Sequence, residues 1–333
     1  MNSTNIFVPY EDYVTGFRVT ATVLFILGAG SNITVVVISA MTKKDTKAFV
    51  LLMQIHACAN ALHSCSGWLS ANRHPVAGRT IVFITYGTCS LFSPRFCAIC
   101  DIVPTLSNSF IPALIATMMV FRALIMYQFQ LTKMVVLIVV GILVIVMSPL
   151  AVLIGQGYVD LDQTMVIAYL ENSTDPKNLN MAKEIKEIGG YSVNMSGVAT
   201  VFPIYNYISP IALGICLIFR LLMEYKHRQF FGQVSDGTKK IYKGFMRLLT
   251  LDALVELIYV CASQFSIVQK VSDSFPQAAT FISFHNHTFF ALPSVIQGLS
   301  IIYLVPYLRN GVMGIFSRKN GSSISVVTSS HGY

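Results

Sequence analysis

Residues 134–155 read MVVLIVVGILVIVMSPLAVLIG, with no charged side chain from Met134 to Gly155. A helix rising about 1.5 Å per residue needs about 20 apolar residues to cross the hydrocarbon core of a bilayer. This stretch is long enough, and it is apolar on every face, which a helix at the surface of a water-soluble domain is not. The same signal recurs along the chain. Spans are expected near 17–40, 48–70, 98–121, 134–155, 198–222, 247–268 and 284–306. That pattern defines an all-α membrane protein, a bundle of seven transmembrane helices. The implied division is an N-terminal segment at 1–16, a helical domain at 17–306 and a tail at 307–333.

Composition agrees. Of 333 residues, 54% are hydrophobic and only 11% charged, and mean hydropathy is +0.64. A soluble domain carries about 25% charge, so water could not solvate this surface. The seven cysteines are scattered through apolar segments, unlike the framework of a small secreted domain. The N-terminus holds Glu11 and Asp12 and lacks the basic region of a cleavable leader, so the first span is expected to remain as an anchor. Residues 81–97 start apolar but then contain Gly87, Pro94 and Arg95. They are expected to form an external loop against the head of the third span.

Lys and Arg counting orients the bundle. With the N-terminus outside and the C-terminus inside, 15 of the 23 basic residues fall on the cytoplasmic side. Nine of the 15 acids fall outside and three inside, with Asp101, Asp252 and Glu256 in spans. The net charge of +8 is therefore a topology signal, and nucleic acid is not expected as a partner. Sequons at Asn2, Asn172 and Asn194 lie outside on this arrangement and are the expected glycosylation sites. Those at Asn32, Asn286 and Asn320 are expected to stay unused.

Nothing points to catalysis. The chain has no GxGxxG, P-loop, HExxH or GxSxG pattern. Cys97 and Cys100 have metal-ligand spacing, but no second pair completes a zinc site. Neither an enzymatic activity nor a metal or cofactor is expected.

Polar residues inside apolar spans are costly and mark function or interhelical hydrogen bonds. On the second span His56, Asn60, His63 and Ser70 share one stripe, and on the third Asp101, Thr105 and Asn108 share another. His56 and Asn60 lie deep and are read as interhelical contacts. Asp101, Thr105, Asn108 and His63, nearer the outer end, are the candidate ligand contacts. The bland alternative for Asp101 is contact with headgroup water. Asp252 and Glu256 stand one helical turn apart at the inner end of the sixth span, and Arg122 closes the third on the same side. Arg122 and Asp252 are candidates for a switch pair, with Glu256 beside them. The competing reading makes the two acids the pathway of an ion channel or an ion-coupled transporter. Lys226, Arg228, Lys239, Lys240 and Lys243 form a basic third inner loop, suited to a protein partner or to anionic lipid of the bilayer.

Three segments carry a resemblance. Tyr86-Gly-Thr-Cys-Ser-Leu-Phe-Ser-Pro-Arg-Phe-Cys-Ala-Ile-Cys100 is similar, in cysteine spacing and in Gly87, Phe92 and Pro94, to the YGPC-xx-FGP-xx-C block of the nematode serpentine chemoreceptors of class delta, Srd. Arg247-Leu-Leu-Thr-Leu-Asp-Ala-Leu-Val-Glu256 and the run from Leu292 to Arg309 resemble that family's sixth and seventh helices. Asp252 and Glu256 stand where the family has Gln and Pro. The resemblance implies an odorant or small-molecule receptor of sensory neurons, in the plasma or ciliary membrane, coupled to a heterotrimeric G protein. In the oxidising compartment a disulfide between Cys89 and Cys97 is expected. Cys100 is the alternative partner, and three packed thiols are the bland outcome.

Overall fold

The computed structural model describes residues 10–41, 48–73, 76–77, 80–127, 129–159, 163–172, 176–194, 202–230, 246–261 and 276–317. Among these, seven helices form the bundle. They are α1 (Tyr10–Met41), α2 (Ala48–Ser70), α3 (Pro94–Met126), α4 (Lys133–Val159), α7 (Phe202–Phe230), α8 (246–261) and α9 (Pro276–Leu304). Shorter helices α5 (Gln163–Glu171) and α6 (Pro176–Ile188) lie between α4 and α7, and α10 (Pro306–Ser317) follows α9.

Helices α1, α3 and α4 run past both ends of the apolar stretches that reveal them, whereas α2 keeps the expected bounds. At α3 the reason for the earlier start is local. Ser93 caps the helix by accepting a hydrogen bond from the Phe96 N–H at 3.1 Å, and Pro94 occupies the first turn, where no N–H is needed.

Packing is that of a protein whose solvent is lipid. α3 sits centrally, against α2, α4 and α7, while α1 packs on α2 and α9. Ile111, Ile115 and Met119 of α3 are buried with Cys216 and Met223 of α7 and with Leu249 and Tyr259 of α8. On α4 only one side turns inward. Val136 is buried, whereas Ile145 is 70% exposed and Met134 65%. A soluble protein could not present that face to water; hydrocarbon solvates it at no cost.

The loops differ from expectation. Ile81, Val82, Phe83 and Ile84 are β-branched or aromatic and too few to span. They form strand β3 (Thr80–Thr85), which pairs with β1 (Asn72–Arg73), β2 (Val76–Ala77) and β4 (Gly190–Asn194), all antiparallel. The β3–β4 register runs from Thr80 opposite Asn194 to Ile84 opposite Gly190. Gly189, at φ +104°, makes the turn from α6 into β4. Gly87 is required for space: a Cβ there would lie 2.0 Å from the Leu69 carbonyl oxygen.

Candidate functional site

Two polar constellations occupy the bundle. One is an interior column. Arg122 on α3 is 1% exposed and forms an ion pair with Asp252 on α8, while its guanidinium lies 5.0 Å from the centre of the Phe49 ring on α2. The helical repeat places Asp252, Glu256 and Tyr259 on one inward face of α8, and all three are buried. Neither carboxyl oxygen of Glu256 has a hydrogen-bond partner among the described residues.

Beyond the Tyr259 hydroxyl, which lies beside Ser294 of α9, the column becomes a neutral network. Ser294 Oγ donates to Asn60 Oδ1 at 2.7 Å. Asn60 Nδ2 approaches the Gln297 Oε1 at 3.2 Å and the His56 Nε2 and carbonyl oxygen at 3.1 Å each. Asn32 of α1 donates to the Ser294 carbonyl at 2.9 Å and to that of Gly28 at 2.8 Å. Four helices, α1, α2, α8 and α9, thus meet around Ser294. With Arg122, the column reaches α3.

Of the residues nominated from sequence, the structure brings Arg122 to Asp252, with Glu256 one turn away. His56 and Asn60 bond to each other and across to α9. Asn32, Ser294 and Gln297 were not nominated as network residues. The signal that could have found them is their polarity inside apolar spans, the same signal used for His56.

The outer candidates are less convergent. His63 is fully buried, its ring 6.4 Å from that of Phe25, and it approaches the backbone of Pro104 and Phe290 without reaching hydrogen-bond geometry. That contact puts it beside the turn of α3 that holds Thr105. Thr105 Oγ1 donates to the Asp101 carbonyl at 2.8 Å, so its hydroxyl is bonded within its own helix. Asp101 is fully buried, and the Oδ1 of the half-buried Asn108 has no hydrogen-bond partner among the described residues.

Above them lies the second constellation. Cys89 and Cys97 form a disulfide with Cα atoms 5.0 Å apart, and Cys100 is a buried free thiol. The bridge ties the 3₁₀ turn at Thr88–Leu91 to the head of α3. Glu184 of α6 accepts from Arg73 Nη1 at 3.0 Å and from the Tyr86 hydroxyl, and Arg18 of α1 lies over the Tyr86 ring at 5.4 Å. Val82, Ile84 and Tyr86 pack with Met181 and Ile185 of α6 onto Phe17, Ala21 and Phe25 of α1. This cap joins segments far apart in sequence, and no motif marks Arg73 or Glu184.

At the opposite end Lys226 Nζ lies 3.3 Å from the centre of the Tyr127 ring, linking α7 to the end of α3. Arg228 and Arg220 both pair with Glu224, at 3.1 and 2.9 Å. Lys239, Lys240 and Lys243 lie outside the described residues, as does Asn2. Asn172 is exposed after α5, and Asn194 ends β4.

A seven-helix bundle with polar interior columns and lipid-facing apolar walls is a multi-pass membrane protein. The family model described as "Serpentine type 7TM GPCR chemoreceptor Srd" matches residues 17–314, and the chain belongs to that family. It is a family of receptors, not of enzymes. No curated protein matches the chain.

Proposed function

We propose that this chemoreceptor binds a small molecule from the extracellular side and signals to a heterotrimeric G protein. Its N-terminus is outside, its tail at 307–333 inside, and its site of action the plasma or ciliary membrane of a sensory neuron. The ligand contacts are Asp101, Thr105, Asn108 and His63 in the outer halves of α2 and α3. Lys226, Arg228, Lys239, Lys240 and Lys243 meet the G protein, and Asn2, Asn172 and Asn194 carry glycans.

The observation that carries this reading is the buried Arg122–Asp252 pair, which joins α3 to α8 at the basic end of the bundle. Two ions in a low-dielectric interior offset each other's desolvation, and separating them strands a charge. A receptor needs an element of this kind, stable in one helix arrangement and unstable in another. The experiment is expression in a heterologous cell, an odorant panel and a second-messenger readout. An agonist response that disappears when G proteins are blocked is expected.

Glu256 favours one other reading, a channel or ion-coupled transporter with Asp252 and Glu256 as pathway acids, because an acid buried in a span without a partner suits ion or proton transfer. Current or uptake that persists under G-protein block would select it.

A further inference from the structure

The outer wall of the bundle at its basic end contains a groove of about 740 Å³ between α7, α8 and α9. Its lining is mostly apolar, with Met246 and Leu251 of α8 and Leu299 and Tyr303 of α9, and includes Arg220 and Arg247. The groove faces out of the bundle: Leu299 is 51% exposed and Tyr303 68%. The two arginines differ. Arg220 is committed, donating to Glu224 Oε2 at 2.9 Å and to Thr250 Oγ1 at 3.1 Å. Arg247 is exposed and has no ion pair among the described residues.

A mostly apolar trough whose lining includes a guanidinium with no ion pair among the described residues is complementary to an amphiphile with an anionic head. The volume lies within the range of small-molecule sites, about 300–1,000 Å³, which holds a headgroup and the first part of its acyl chains. Guanidinium matches phosphate oxygens through paired N–H donors. The charge complementarity singles out a lipid of net negative charge, since a zwitterionic head brings its own cation to the arginine. The solvent of this face is already acyl chain, so the tails need no desolvation.

We propose that this groove binds an anionic phospholipid, its phosphate on Arg247 and its acyl chains along Leu251 and Leu299. Its assignment to the inner leaflet rests on the topology proposed above; the site itself does not. The test uses the purified full-length receptor in detergent, where leaflets and signalling play no part. Native mass spectrometry compares retention of phosphatidylserine and phosphatidylcholine, with inorganic phosphate as competitor. One basic residue near a membrane surface contributes about 1 kcal/mol, a factor of about five. Phosphatidylserine should be retained about fivefold better than phosphatidylcholine, and Arg247→Gln should remove the difference. Leu299→Trp, which fills the trough without touching charge, should weaken retention of both lipids, and phosphate should displace neither. Equal retention of the two lipids by the unaltered receptor would mean another occupant, such as a segment of the G protein, and would overturn the proposal. So would a preference that survives Arg247→Gln, or displacement by phosphate together with indifference to Leu299→Trp, which describes a bare anion site.

Discussion

Arg122 and Asp252 are ion-paired across α3 and α8 with both side chains withdrawn from solvent, their exposures 1% and 7%. Nothing else in the bundle joins two full charges in its interior among the described residues, and the pair is flanked one turn away by Glu256. Removing one member takes the opposite charge away from the other while it stays buried, at a cost of about 3–5 kcal/mol in the resting arrangement. Asp252→Asn is therefore expected to raise ligand-independent second-messenger output several-fold at matched surface expression. The double change with Arg122→Gln should be no more active than either single change. Basal output unaltered in Asp252→Asn would instead fit an acid that holds only a local hydrogen bond, which the amide can replace.

The orientation proposed for the chain rests on where its Lys and Arg lie. An epitope placed before Asn2 should stain on intact cells, and one after Tyr333 only after permeabilisation. The opposite staining pattern removes both the ligand side and the G-protein side assigned above.

The Cys89–Cys97 bridge closes a loop with a sequence separation of 8. Loop-closure entropy for so short a ring gives about 2–3 kcal/mol of stabilisation. Mass spectrometry of unreduced peptides should recover the two segments linked, with Cys100 alkylatable after denaturation. Cys97→Ser should lower the thermal midpoint of the purified receptor. Recovery of Cys97 linked to Cys100 would contradict the pairing.

Glu184 holds the cap, because Arg73, Tyr86 and α6 all meet at its carboxylate. Glu184→Ala removes the carboxylate that Arg73 and the Tyr86 hydroxyl share, at about 1–3 kcal/mol for each hydrogen bond lost. Hydrogen exchange across 176–194 should speed up in this variant while α2 and α3 keep their protection. Unchanged exchange in that segment would mean that apolar packing alone seats the cap.

Asn60 is the hub of the neutral network, bonded to His56, Gln297 and Ser294. Asn60→Ala should lower stability by about 1–3 kcal/mol, read as a fall in thermal midpoint. Ser294→Ala, which removes one hydroxyl from the same network, should cost less. Equal effects from the two would disperse the role given to Asn60.

The spans were legible because a bilayer imposes one strong rule on every residue of a crossing helix, and seven apolar stretches gave the seven-helix arrangement that the Srd resemblance shares. Residues 134–155 need no context to be read. The pair at Arg122 and Asp252 was legible for a related reason: charge in hydrocarbon is rare enough that two such residues at one depth suggest each other. The cap was not legible. Arg73 of β1, Tyr86 after β3 and Glu184 of α6 meet because β3 finds β4 more than a hundred positions later, and strand pairing at that separation leaves no periodic trace. The groove at Arg247 was equally hidden, since it is a property of three helix surfaces together and not of any one stretch.

The strand pair β3–β4 rests on α3, α4 and α6, while β1 touches α9. For the ligand site proposed above, a molecule arriving from water would meet this cover first, and reaching His63 or Asn108 would be a separate event from binding there. Where arrival waits on the cover, association is slow and release equally slow, so occupancy outlasts the stimulus. A compound that partitions into the membrane and enters between helices would avoid that delay. Two ligands of equal affinity could then differ widely in onset, ordered by their oil–water partition and not by their fit.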